Sequence, residues 1–169
     1  TVRLTSMGVI QVLKDDELER SYVYKRDFDS AKLSATDEEL TVERFSKRMA
    51  EHNKMLKSVL VGKGAVLVGV SNSTFQDILY RAKLHPKRKA SELNAEEKRS
   101  LYDAIRLVFK ERLRLDGKDQ FHNLYGKQGS YTPAMGPNMK QQACSKCGTI
   151  IEKLSLGGGH VYLCPSCQT

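Results

Sequence analysis

Four cysteines stand within the last 26 residues, as Cys144-Ser-Lys-Cys147 and Cys164-Pro-Ser-Cys167, with 16 residues between the pairs. Each C-x-x-C turn sets two sulfurs on one side of a tight loop, and Gly148 and Pro165 suit such turns. The spacing is that of a zinc ribbon. Four thiolates close a tetrahedron and leave no position for water, so the metal expected at Cys144, Cys147, Cys164 and Cys167 is one structural zinc. Two disulfides or a redox pair are the alternatives. The first needs a secretory context and the second a neighbouring βαβ unit, and neither is visible in the sequence. No other constellation suggests chemistry, because His52, His85, His122 and His160 are scattered and no nucleophile stands in an evident pair with a base.

The chain around these cysteines is basic, with a formal net charge of +8, which favours an anionic partner. From Arg81 to Arg114 eleven Lys or Arg face five acids, so most of the surplus lies there. A solvated helix face laced with i,i+4 pairs would account for the same charges. No apolar stretch approaches the roughly 20 residues that span a bilayer, since the best run, Ser58 to Val70, is broken by Lys63 and by glycines. The opening residues lack the charged start and continuous apolar core of a secretion signal.

The elements that must position the cysteines and the basic segment read mainly as helices. Asn94 with Glu97 forms a capping box, and Leu101, Ile105, Val108 and Arg112 mark one side of a helix running to about Leu115. A helix over Ser73–Ala82 is expected to start at Asn72 as N-cap and to end before His85-Pro86. Further helices are expected over Thr41–Glu51 and Met55–Val61. The first thirty residues look β-like, with a turn at Asp15 and Asp16 between two strands. Gly126 to Lys140 reads as a loop. Between the cysteine pairs, two short strands should meet at Gly157, Gly158 and Gly159. The expected fold is therefore mainly α with small β parts. Because Thr1 is not an initiator methionine and the chain opens inside a strand pattern, a piece of a longer protein is expected.

The segment GVSNSTFQDILYRAKLHPKRKASELNAEE, Gly69 to Glu97, resembles the helix-two-turns-helix signature of the formamidopyrimidine-DNA glycosylase and endonuclease VIII family, and the ribbon resembles that family's zinc finger. The two occur in the family's order, and the likeness runs from about Phe28 to Gln168. The resemblance implies three parts: a tail of an N-terminal β-sandwich catalytic domain over 1–30, a helix-two-turns-helix DNA-binding domain over 31–135 and a zinc finger over 136–169.

It also implies roles for single residues. Asn72 matches an asparagine that opens the helix and grips a DNA phosphate, a role compatible with plain capping. Lys57 matches a lysine near the DNA backbone, although a solvated surface lysine is the alternative. The loop Lys118–Gly129 corresponds to the segment that closes over an everted base. There are departures too. The family's G-x-G-N is Gly69-Val70-Ser71-Asn72 here, and Gly159 stands where many members place a DNA-binding arginine. His160 follows it, either as a phosphate or groove contact or as an idle hairpin residue. The family's chemistry uses the amine of an N-terminal proline with an adjacent glutamate, and Thr1-Val2-Arg3 matches neither.

The function implied is the DNA-binding portion of a base-excision-repair DNA glycosylase and lyase that removes oxidised bases, with this chain alone inactive. Its partner would be double-stranded damaged DNA, bound by a monomer in the bacterial cytoplasm at the nucleoid, with no membrane involved. The rivals are a non-catalytic nucleic-acid-binding protein built on the same helices, and a ribbon used only for protein contacts.

Overall fold

Helix order begins with local capping, and a computed structural model describes residues 11–27, 32–62 and 64–169 of the chain. The Asn94 side chain accepts from Glu97 N at 2.8 Å while the Glu97 carboxylate accepts from Asn94 N at 2.9 Å, which starts the helix Ala95–Arg114 (here α6). Arg88 ties the same carboxylate to the preceding turn at 3.0 Å. Helix α6 buries Leu101, Ala104, Ile105 and Val108. Against it lies α5, Asn72–Ala82, whose residues are mostly buried and whose end is marked by the left-handed Lys83.

Two more helices complete the apolar core. In α3, Val42–Ala50, the Thr41 side chain caps Arg44 N, and Phe45 and Met49 point inward. The Phe45 ring meets Tyr102 of α6 with centroids 5.9 Å apart. Helix α4, Leu56–Leu60, contributes Leu56, Val59 and Leu60. Each such burial contributes about 1.5–3 kcal/mol, so tertiary packing rather than propensity holds these short helices. Strands β1, Leu33–Ser34, and β2, Leu67–Val68, pair in parallel. Arg106 fastens the following turn to α6 by donating to the Ala35 and Asp37 carbonyls, each at 2.8 Å.

The ribbon is an antiparallel hairpin of β3, Glu152–Leu156, and β4, Gly159–Leu163. Gly157 and Gly158 have φ of +53° and +74°, the conformation that a two-residue hairpin turn requires and that other residues resist. A second apolar cluster joins Met135, Cys144, Ile151, Tyr162 and Cys164 with Tyr80 from α5, so the helical domain supplies part of the ribbon's core.

The segment before the helical core differs from expectation. Asp15–Leu18 and Tyr22–Asp27 are helices, α1 and α2, where a turn and a strand were expected. Three acids in the first turn of α1 suit a helix N-terminus. Among the described residues no strand lies beside Tyr22–Asp27 to complete its backbone bonds, and Lys25 N instead reaches back to Ser21 O at 3.0 Å. The first expected strand, residues 2–13, lies mostly outside the described residues, and its last three residues, Gln11, Val12 and Leu13, are not in a strand. No described helix is long and apolar enough to cross a membrane.

Candidate nucleic-acid interface and metal centre

The four sulfurs lie within 4.8 Å of one another, and all four cysteines are free. Cys144 and Cys167 sulfurs are 3.9 Å apart, and those of Cys147 and Cys164 are 3.4 Å apart. A zinc–sulfur bond of about 2.3 Å in a tetrahedron gives sulfur separations of about 3.8 Å, so the donor set fits zinc, whereas a disulfide needs about 2.05 Å. The turns are built from the backbone. Gly148 N donates to Cys144 O and Cys144 N to Thr149 O, both at 2.8 Å, while Cys164 N donates to the Gln168 side chain at 2.9 Å.

Electrostatics point the same way. Burial pushes the Cys144 thiol up, yet hydrogen bonds from Tyr80 and from the Lys146 and Cys147 amides draw it down to about 6. Cys167, facing Cys147 and partly desolvated, is pushed up to about 12. Sulfurs so close cannot all carry charge without a cation among them. The Tyr80 hydroxyl lies 3.2 Å from Cys144 Sγ, and the Lys146 ammonium sits 4.6 Å from the Tyr80 ring centre. The ribbon's last residues also grip the turn after α5. Gln168 Nε2 donates to Leu84 O at 2.9 Å, and His85 N donates to Thr169 O at 3.0 Å.

At the other end of α5 the phosphate candidates converge. Ser71, not Asn72, is the N-cap, because its extended backbone lets its hydroxyl accept from Thr74 N at 3.2 Å. The serine that breaks the family's G-x-G-N pattern is therefore the cap, and Asn72 is the first helical residue. Its Nδ2 donates to His160 O at 3.0 Å, while its Oδ1 is buried without a partner among the described residues. Lys57 is not a solvated lysine. It is 8% exposed and donates to Leu156 O at the hairpin tip. Burial lowers its pKa from the usual lysine value.

The glycine tip lies directly against this pair. A Cβ on Gly157 would lie 3.4 Å from Lys57 Cδ, and one on Gly159 would lie 3.6 Å from Lys57 Nζ and 3.9 Å from Asn72 Nδ2. Asn72, Lys57 and the hairpin at His160 are thus brought together, although His160 takes part through its carbonyl while its exposed ring faces Ser155 Oγ at 3.4 Å.

Residues not assigned to this site from the sequence complete the surroundings. Arg112 donates to Thr74 Oγ1 at 3.0 Å and lies 5.6 Å from the Tyr131 ring centre. Lys118 reaches Ser73 Oγ at 3.4 Å, and burial followed by the nearby Arg112 lowers its pKa. An open cavity of about 510 Å³ runs beside this helix start, lined by Gly69, Ser71, Thr74, Phe109, Arg112 and Asp116. The loop beyond Lys118 folds back on itself, with Asn123 Oδ1 accepting from Tyr125 N and Lys127 N. Leu124 and Tyr125 at its tip are almost wholly exposed. Its return passes Gly129, where any side chain would run into the Gly117 carbonyl at 2.5 Å, and ends on Tyr131, whose hydroxyl donates to the buried Asp77. The helical period from Asn72 to Gln76 and Tyr80 was the available signal for two further contacts. For Lys118 and Arg112 neither the loop nor the helix face in which they were placed pointed to the start of α5.

Comparison with known proteins follows this geometry. The family described as the formamidopyrimidine-DNA glycosylase H2TH domain matches residues 33–122, more than half of the chain. The zinc finger found in FPG and IleRS matches residues 141–169. A curated formamidopyrimidine-DNA glycosylase of Bacillus cereus is 34% identical over 135 residues, covering 78% of this chain and 49% of the relative. One from Streptococcus pneumoniae is 29% identical over 164 residues, covering 95% of this chain and 58% of the relative. The chain thus spans about half the length of the curated relatives it matches. In fold it is similar to Lactococcus lactis Fpg solved with abasic-site DNA, at a TM-score of 0.77 and 21% identity over 93% of this chain and 56% of that one. The same enzyme's complex with FAPY-dG DNA gives 0.75 and 22% over 91% and 55%.

Proposed function

Because this chain belongs to the family of the formamidopyrimidine-DNA glycosylase H2TH domain, we propose that it is the DNA-binding part of a base-excision-repair DNA glycosylase and lyase that removes oxidised bases. The observation that carries this reading is the meeting of Lys57, the Asn72 carboxamide and the glycine tip at the start of an eleven-residue helix. A helix start offers unpaired N–H groups and a partial positive charge to an anion. Lys57 adds a full charge whose desolvation has already been met on folding, and Asn72 adds a directed amide. The ligand suited to that set is a backbone phosphate of double-stranded damaged DNA. Lys118 and Arg112 extend the positive field toward the open cavity beside it.

One zinc per chain, held by Cys144, Cys147, Cys164 and Cys167, has a structural role: it fixes the fold of the ribbon and thereby the place of the tip. The chain acts as a monomer in the bacterial cytoplasm, on nucleoid DNA. The exposed tip of the loop after Lys118 approaches a base swung out of the stack, an event such enzymes require. The family's proline amine and its glutamate partner are not residues of this chain, so the part described here binds and bends DNA while chemistry belongs to the remainder of the enzyme.

Binding measured by fluorescence anisotropy on a duplex with an abasic-site analogue tests this. If about three to five phosphates are neutralised, log K should fall against log salt with a slope of about −3 to −4.5. Affinity indifferent to salt would sink the phosphate model.

A further inference from the structure

Asn72, Gln76 and Tyr80 stand four residues apart on α5, a spacing that sets side chains along one face of a helix about 6 Å apart. All three touch the ribbon. Asn72 Nδ2 donates to His160 O at 3.0 Å, Gln76 Oε1 accepts from Tyr162 N at 2.8 Å, and the Tyr80 hydroxyl lies 3.2 Å from Cys144 Sγ. Gln76 Nε2 donates to Asn72 O at 3.0 Å and approaches His160 O at 3.5 Å.

The middle residue has an unusual task. Strand β4 pairs with β3 on one side only among the described residues, so its opposite backbone groups need partners from elsewhere. Gln76 is 2% exposed, and its carboxamide presents an acceptor to Tyr162 N and a donor to His160 O. It occupies the place of a peptide group in a third strand. Because a buried amide left unsatisfied is costly, the hairpin cannot slide along α5 without losing this match.

We infer that these residues form one seam in which Gln76 is a positioning residue: it sets the register of the hairpin on α5, and hence where the glycine tip meets Lys57 and Asn72. Tyr80 fastens the far end of the seam to a zinc ligand. The inference rests on the reading of that meeting point as a phosphate site. It adds to it the residue that holds the site together from behind, without touching the phosphate itself.

The test uses the zinc-loaded chain with Gln76→Met, which keeps the length of the side chain and removes both polar functions, alone and combined with Asn72→Ala. Amide exchange at Tyr162 without DNA should quicken about tenfold, as for one lost net hydrogen bond. Affinity for the abasic-analogue duplex should drop about tenfold, and Asn72→Ala should then cost far less than it does in the unaltered chain. Tyr80→Phe, which removes one hydroxyl, reports the other end of the seam should Gln76→Met not fold, and it should speed zinc release to a competing chelator about tenfold. Unchanged Tyr162 exchange in Gln76→Met overturns the register claim whatever the DNA does. Faster exchange with a fully additive Asn72→Ala effect overturns the positioning role, and unchanged zinc release removes Tyr80 from the seam. An unaltered chain that does not bind the duplex overturns the phosphate reading instead, while exchange and zinc release still decide the seam.

Discussion

Asn72 and Ser71 divide between them two tasks that a helix start often assigns to one residue. Ser71 caps the backbone, while Asn72 spends its amide on the hairpin and keeps a buried oxygen without a partner among the described residues. Ser71→Ala should therefore cost about 1 kcal/mol of stability in denaturant unfolding and leave DNA affinity nearly unchanged. Asn72→Ala should instead weaken DNA binding, by about 1–3 kcal/mol if its second amide hydrogen goes to a charged phosphate oxygen. Effects that traded places would refute the division. The sequence could not separate the two residues, since Ser71, Asn72, Ser73 and Thr74 are all plausible caps and the choice depends on one backbone angle. Lys57 was illegible for a different reason. Its ammonium is held by the carbonyl of Leu156, 99 residues away, and no local pattern announces such a neighbour. Its lowered pKa has a consequence for binding. The charged form prevails below the folded pKa, so the affinity that Lys57→Met removes should shrink as pH rises from neutral, and do so before the ordinary lysine range is reached. A ratio of affinities that stays flat over that range would contradict the assignment.

At the scale of elements, the helices were legible because their signals are local. Thr41, Asn94 and the apolar spacing between them and the helix ends place α3 and α6 within a residue of expectation. The start of the described chain was not, since the alternation in SYVYKRDF fits a strand only when another strand lies beside it. The link between ribbon and helices was also hidden, because it runs through Tyr80, Gln168 and Thr169 rather than through any motif. That link modifies what metal removal should do. Structural zinc contributes apparent energies of about 10–16 kcal/mol, far more than a hairpin gains from its own small core. Chelation should disorder the last 26 residues and preserve the far-ultraviolet signal of α3, α5 and α6. It should also quicken amide exchange at His85, whose N–H bonds to Thr169 O, a change confined to the end of α5. Protection at His85 that survives chelation would show the turn to be independent of the ribbon.

Across the whole molecule, charge on paper and charge on offer differ. Arg81 is bound to the buried Asp77 and Arg88 to Glu97, so these two cations are matched within the fold, whereas Arg106 on two carbonyls and Arg112 on Thr74 are held in place with their charge intact. The positive field around Arg81 and Arg88 is correspondingly smaller than the formal charge suggests. Chemistry at an abasic sugar needs an unprotonated amine with an acid–base partner, and ordinary lysines with a reference pKa of about 10.4 rarely supply one. Borohydride trapping on an abasic duplex should yield little adduct with this chain beside a full-length relative. An adduct forming at a comparable rate would sink that expectation, and peptide mapping should then look first to Lys57. The hairpin tip, finally, is unequal in what it would accept. Gly157 and Gly158 are tied to glycine by positive φ, whereas Gly159 is not, and a side chain there would enter ordinary contact with Lys57 and Asn72. Position 159 is thus an open socket, at which evolution or an engineer can graft a new group onto the site without rebuilding the backbone beneath it.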